Sequence, residues 1–322
     1  MKKFLKNTTI FVLLIFGLGV LLWFRNGDQI NKNTVLNQKQ AFLDKHPEFN
    51  TVFIGSSKIN NQINPQIIDA LNPGLKTYNL GANASFNLEN NSTIDFLLHN
   101  QNRRLKYIVL ELQNKIDLTR TNLNTERSFG ALTPQNFPFF LSYQKENKDY
   151  KQLAFGLYST VLSIFNFNKE KTTMEESYLN QFIEKDGFIP LDKDKNSAVL
   201  QRNKDLLAKP SEITRRLTVF NNDQTVYVPN QNLEKKWLEL SNQCKDKGIQ
   251  LVLLLPAPAE PDAKELLVYT QSNEIPVINM LNPAETPEFY QLENRWDYGH
   301  LNEKGANLLS EKIGKAMQSL KK

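Results

Sequence analysis

Two patterns of apolar positions alternate along the chain. Short apolar runs stop abruptly at a turn residue: Thr51-Val52-Phe53-Ile54 at Gly55, Thr77-Tyr78-Asn79-Leu80 at Gly81, and Gln250–Leu255 at Pro256. Tyr107–Leu112 and Ile275–Asn279 are of the same kind. Runs without a polar face predict strands buried on both sides. Between them lie helical stripes. Leu233, Trp237, Leu240 and Cys244 share one face of a helix over Asn232–Lys247, and Gly248 follows where a C-terminal cap belongs. Leu308, Leu309, Ile313, Met317 and Leu320 form a second stripe, with Asn302 as its candidate N-cap. Strands alternating with helices predict an α/β fold, a parallel sheet covered by helices in three layers.

Two stretches depart from this rhythm. Residues 1–25 begin with Lys2, Lys3 and Lys6 and continue uncharged from Asn7 to Phe24. That run of roughly 18 residues is near the lower limit for a bilayer-spanning helix. Trp23 and Phe24 stand where an interfacial aromatic belt would lie, and the lysines place the N-terminus in the cytoplasm with the rest outside. A cleaved signal peptide is the competing reading, but the A-x-A-like small residues it needs do not follow. The expectation is an uncleaved anchor over 1–25, a linker over 26–50 with a helix near Gln38–Lys45, and a domain over 51–322. The second stretch, about 118–230, carries aromatic clusters such as Phe137-Pro138-Phe139-Phe140 and reads as a mostly helical insertion. It is either a packed subdomain or a lid over a site.

Charge and composition narrow the function classes. With 40% hydrophobic and 23% charged residues the chain is an ordinary globular one, not a disordered one. The net charge of +5 is spread thinly, without the basic, aromatic-studded stripe of a nucleic-acid binder. The single cysteine, Cys244, permits no intrachain disulfide and reads as a buried small hydrophobe. No metal-ligand cluster, Walker motif or dinucleotide fingerprint occurs, so neither metal nor cofactor is expected.

Three histidines are available as general bases: His46, His99 and His300. His46 precedes a proline and His99 ends an apolar helical pattern, so both read as surface residues. His300 lies in Trp296-Asp297-Tyr298-Gly299-His300-Leu301-Asn302, where Asp297 three residues earlier can hold one ring nitrogen while the other faces a nucleophile. The nucleophile candidate is Ser57 in Ile54-Gly55-Ser56-Ser57-Lys58. It stands where a buried strand ends, the edge at which open α/β sheets place their ligands. Taken alone, Ser56 and Ser57 read equally as a helix N-cap.

Together these segments resemble the SGNH, or GDSL-like, hydrolase superfamily. Gly55-Ser56-Ser57 resembles its first block, with Ser56 in place of the aspartate and Ser57 in place of the nucleophile. That replacement resembles the membrane-anchored branches, including the teichoic-acid D-alanylation and alginate-acetylation protein families. Asn79-Leu80-Gly81 resembles the second block, whose glycine joins the oxyanion hole. Asp297-Tyr298-Gly299-His300, followed by a helix with Gly305, resembles the last. Glu111-Leu112-Gln113-Asn114 stands where the family has Gly-x-Asn-Asp, a departure. The resemblance covers about 51–115 and 248–320 and implies a flavodoxin-like three-layer fold.

It further implies a Ser57-His300-Asp297 triad, with Ser57, Gly81 and either Gln113 or Asn114 around the oxyanion. The implied activity is esterase or O-acyltransferase chemistry on a cell-envelope polysaccharide or other acylated carbohydrate, with a membrane-bound acyltransferase as partner. The departure at the third block keeps open a different class: a catalytically inactive envelope binding or assembly factor.

Overall fold

The computed structural model describes residues 1–26, 34–99, 104–113, 131–165, 176–271 and 274–320. Among them, five parallel strands form one sheet: β1 (Thr51–Ile54), β2 (Thr77–Asn79), β3 (Tyr107–Glu111), β4 (Gln250–Leu255) and β5 (Val277–Asn279). Their order is β2-β1-β3-β4-β5, the doubly wound order in which the chain reverses direction beside β1. Register is set along β1 by the pairs Thr51–Thr77 and Thr51–Tyr107, and between β3 and β4 by Tyr107–Gln250.

Side chains alternate between the two faces with the period of a strand. Val52, Ile54, Ile108, Leu110, Leu251, Leu253 and Leu255 enter one core. There they meet α2 (Thr34–Lys45), α5 (Asn87–His99), α6 (Phe137–Glu146) and α11 (Gln231–Asp246). Phe53, Val109, Val252, Leu254 and Ile278 enter the other. They meet α3 (Ser57–Asn60), α4 (Pro65–Leu71) and α12 (Glu303–Ser319). Two apolar faces, each roofed by helices, make three layers.

The stripe through Cys244 forms α11, and Cys244 is fully buried, its thiol pushed up to about 12 by burial. Asn230 caps that helix through Leu233 N, and Gly248 follows it at φ +72°, a conformation that favours glycine. Asn302 caps α12 by accepting from Gly305 N at 2.9 Å.

Two parts of the picture differ from the sequence reading. Residues 2–26 form one helix, α1 (Lys2–Asn26), but among the described residues no helix is long and apolar enough to cross a membrane. The segment read as a linker contains α2, whose Leu36 and Leu43 are buried in the first core. The helix expected near Gln38–Lys45 is present, but it begins at Thr34 and docks on the sheet.

The described part of the insertion is helical, with α7 (Tyr150–Phe165), α8 (Glu176–Ile183), α9 (Ser197–Ala208) and α10 (Ser211–Asn222) following α6. Part of it covers the sheet edge. Asn79 N, on edge strand β2, donates to Asp186 O at 2.8 Å, and Tyr78 Oη donates to Ile183 O at 2.9 Å.

Candidate active site

Strand β1 ends at Gly55, and the chain turns at once into α3. A Cβ on Gly55 would stand 2.4 Å from both Glu111 Oε2 and Ile59 Cγ1, so only glycine permits this turn. Ser56 is the N-cap of α3, its hydroxyl accepting from Lys58 N at 3.2 Å. The capping role anticipated for this pair thus belongs to Ser56. Ser57 is the first helical residue, and its side chain points elsewhere.

Ser57 Oγ lies 2.7 Å from His300 Nε2 across 243 positions of sequence. His300 Nδ1 lies 2.9 Å from Asp297 Oδ1 and 3.1 Å from Oδ2. An ionised carboxylate only accepts, so the ring proton sits on Nδ1 and Nε2 is left to accept from the serine. The carboxylate is itself fixed: Gly299 N and His300 N both donate to Asp297 Oδ1 at 2.8 Å. Burial pushes the Asp297 carboxyl up, but the hydrogen bond and charge of His300, the Gly299 N–H and the charge of Arg202 outweigh it and hold it at about 2. The Asp-x-x-His turn is shaped from below by buried Arg295, which donates to Asp297 O at 3.1 Å, to Phe289 O at 3.1 Å and to Tyr298 O.

Four residues not singled out from the sequence complete the surroundings. Glu111, at the end of β3, is buried and accepts from Ser56 N at 2.5 Å and from Ser56 Oγ at 2.9 Å. Burial pushes its carboxyl up, opposed by the Ser56 hydrogen bonds and the Lys58 charge. Gln62, fully buried, joins three segments of the site. Its amide donates to Lys58 O at 3.2 Å and Ala257 O at 3.1 Å, and its carbonyl accepts from Leu301 N at 2.6 Å. Arg202, on α9, brings Nε to 3.4 Å from Asp297 Oδ2. Lys39, on α2, reaches the Gly81 turn. A glutamate ending an otherwise apolar strand is a visible signal that it is partnered; the other three look like ordinary surface residues in sequence.

The insertion touches the Asp-x-x-His turn repeatedly. Asn203 Nδ2 donates to Trp296 O at 2.8 Å, Trp296 Nε1 to Val199 O at 3.2 Å, and Tyr298 Oη to Asp205 O at 2.9 Å. The Arg216 guanidinium stacks 4.8 Å over the Tyr298 ring. α9 and α10 therefore brace residues 296–298, beyond what a separate subdomain would do.

The expected oxyanion group is only partly assembled. The Ser57 N–H stands at the first turn of α3, where helix geometry gives it no intrahelical acceptor. Gly81 is essential by packing, since a Cβ there would stand 2.3 Å from Asn60 N. Its N–H, however, donates to Asn79 Oδ1 at 2.9 Å. Gln113 Nε2 donates to Ser85 O at 3.2 Å, and Asn114 lies outside the described residues. His46 and His99 take no part. His46 is stacked 4.0 Å from Phe42 and bonded to Glu48, and His99 Nδ1 donates to Asp95 O at 2.7 Å. Among the described residues, no group of three or more His, Cys, Asp or Glu is placed to hold a metal ion.

Compared with known proteins, the chain matches no family model, no curated protein and no solved structure.

Proposed function

We propose that this chain is a serine-dependent acyl hydrolase or O-acyltransferase of the SGNH-like kind. The observation that carries the reading is the 2.7 Å approach of Ser57 Oγ to His300 Nε2 with Asp297 behind the imidazole. His300 removes the proton of Ser57 as Oγ bonds to an acyl carbon. Asp297 stabilises the imidazolium, and the Ser57 N–H faces the oxyanion. Collapse releases the alcohol, which takes its proton from His300. Water or a sugar hydroxyl then attacks the acyl-enzyme and regenerates the serine.

The resemblance to the SGNH superfamily supports this reading in one further respect. The positions at which the chain departs from the first and third blocks, Ser56 and Glu111, are hydrogen-bonded to one another.

Location and substrate belong to the same proposal. Many apolar side chains of α1 are exposed, among them Phe11, Leu13, Leu14, Phe16, Leu18 and Leu21. A helix apolar on every face needs an apolar surrounding. In sequence its uncharged run extends to Phe24. We assign α1 to a bilayer, with the remaining domain extracytoplasmic. An acylated envelope polysaccharide is the substrate class, and a membrane-bound acyltransferase the partner, that the resemblance favours.

A non-catalytic binding factor is the rival reading, and one observation favours it: the Gly81 N–H and the Gln113 amide are both engaged within the protein. A fluorophosphonate probe separates the two. The full-length chain in detergent should label, and Ser57→Ala and His300→Ala should not. A folded wild-type chain that stays unlabelled removes the enzyme reading.

A further inference from the structure

Lys39 is fully buried on α2, far in sequence from the triad. A buried ammonium costs several kcal/mol unless its protons are hydrogen-bonded. Lys39 Nζ donates to Asn60 Oδ1 at 2.7 Å and to Gly81 O at 2.7 Å. Burial brings its pKa down to about 7, against the pull of the Asp186 carboxylate. Ammonium and neutral amine both carry the two protons these bonds need, so the contact survives titration.

The two acceptors belong to the two segments that meet at the candidate site. Asn60 is the last residue of α3, the helix that Ser57 opens, and Gly81 follows β2. These segments touch so closely that Gly81 admits no side chain. Around Lys39 the contact is extended by amides. Asn60 Nδ2 donates to Asn61 Oδ1 at 2.6 Å and Asn83 Oδ1 at 3.0 Å, and Asn61 Nδ2 donates to Asn83 Oδ1 at 3.1 Å.

We propose that Lys39 is a positioning residue, which clamps the turn at 79–83 to the helix carrying Ser57 and so fixes the start of that helix, where the Ser57 N–H faces the oxyanion. It touches no reacting atom and acts through Gly81 and Asn60. The stretch before β1 is thereby a working part of the site. This inference rests on the acyl-transfer reading.

The test uses the full-length chain in detergent, with Lys39→Met beside wild type. Fluorophosphonate labelling is followed against probe concentration, and hydrogen exchange is followed in peptides covering 79–86 and, as a control, 303–319. In Lys39→Met, exchange at 79–86 should quicken at least about tenfold with the control unchanged. The maximal labelling rate should fall about 10- to 100-fold, with half-saturation within about twofold of wild type. If Lys39→Met does not fold, Asn60→Ala removes one acceptor and should show the same changes at smaller size. Unchanged exchange and rate in a folded variant overturn the proposal. Faster exchange at an unchanged rate makes Lys39 a structural tie only and overturns it as well. An unlabelled wild type sinks the acyl-transfer reading, and this one with it.

Discussion

Arg202 Nε lies 3.4 Å from Asp297 Oδ2, so a helix of the insertion places a cation beside the carboxylate that holds His300. Oδ1 accepts from Gly299 N and His300 N, and His300 Nδ1 is shared between Oδ1 and Oδ2, on whose side the guanidinium lies. The cation helps keep Asp297 ionised, though about half of the Arg202 side chain is exposed and its effect is screened. Replacing Arg202 by methionine should move the acid limb of the pH–rate profile upward by about half a unit. The shift should shrink as salt is raised toward about 1 M, where screening is short-ranged. A profile that does not move at low salt would show that Arg202 contributes packing alone.

Asp297 sets the ring tautomer. Asp297→Asn keeps the shape but presents an amide that can turn its own donor toward Nδ1, leaving Nε2 protonated and unable to accept from Ser57. The rate should fall about 10³- to 10⁴-fold with the fold intact by circular dichroism. The same carboxylate contributes to stability. Its folded pKa is depressed to about 2 from 3.8, so the contribution is full above the unfolded value and is lost as pH falls through about 2. Asp297→Asn should remove on the order of 2 kcal/mol at pH 7. Denaturant titrations of both proteins at pH 7 and pH 2.5 check this, with the gap narrowing at the lower pH.

Glu111 holds the residue before the nucleophile by two bonds. Glu111→Ala would orphan the Ser56 N–H inside the protein, at a cost of about 1–3 kcal/mol, and loosen the turn that aims Ser57. Labelling should slow at least about tenfold. Wild-type stability also carries a signature of this group. Its folded pKa is raised by burial, so its contribution is full below the ordinary carboxyl value of 4.5 and declines as pH rises through the folded value. Glu111→Gln should flatten that decline in denaturant midpoints measured from pH 4 to pH 8.

At Gly81 the constraint is steric. A methyl group there meets the Asn60 backbone, which has no flexible end to yield. Gly81→Ala should cost about 1–3 kcal/mol and lower Tm by several degrees. Gly74, at φ +89° with open space around it, is the control, since alanine there meets strain without a clash. An unchanged Tm in Gly81→Ala would show that the Asn60 backbone yields to the methyl group.

The five apolar runs of the sequence correspond to the five strands to within two residues at their ends. Continuous apolarity reports burial on both faces directly. β5 is shorter than its run because Pro276 has no N–H for the ladder, although its carbonyl accepts from Leu253 N at 2.8 Å. Ser57, Asp297 and His300 were legible because each sits at a strand end or in a short local motif. Glu111, ending an apolar strand, carried a signal that it is partnered but not with what. Lys39, Gln62 and Arg202 carried none, since each reads as a surface residue and only the fold brings them to Asn60, Leu301 and Asp297. The helix α2 was legible near Gln38–Lys45, but its docking on the sheet was not, because its buried Lys39 reads as a surface residue in sequence.

With α1 seated in a bilayer, the docking of α2 onto the sheet has a consequence for reach. Only residues 27–33 separate Asn26 from Thr34, a length of chain that extends at most about 30 Å. Under the proposed bilayer placement of α1, that length would cap how far Ser57 can stand above the lipid surface. A polymer growing outward from that surface would meet it while its acylated units were still close to the membrane, and a chain released into bulk solution would pass beyond its range.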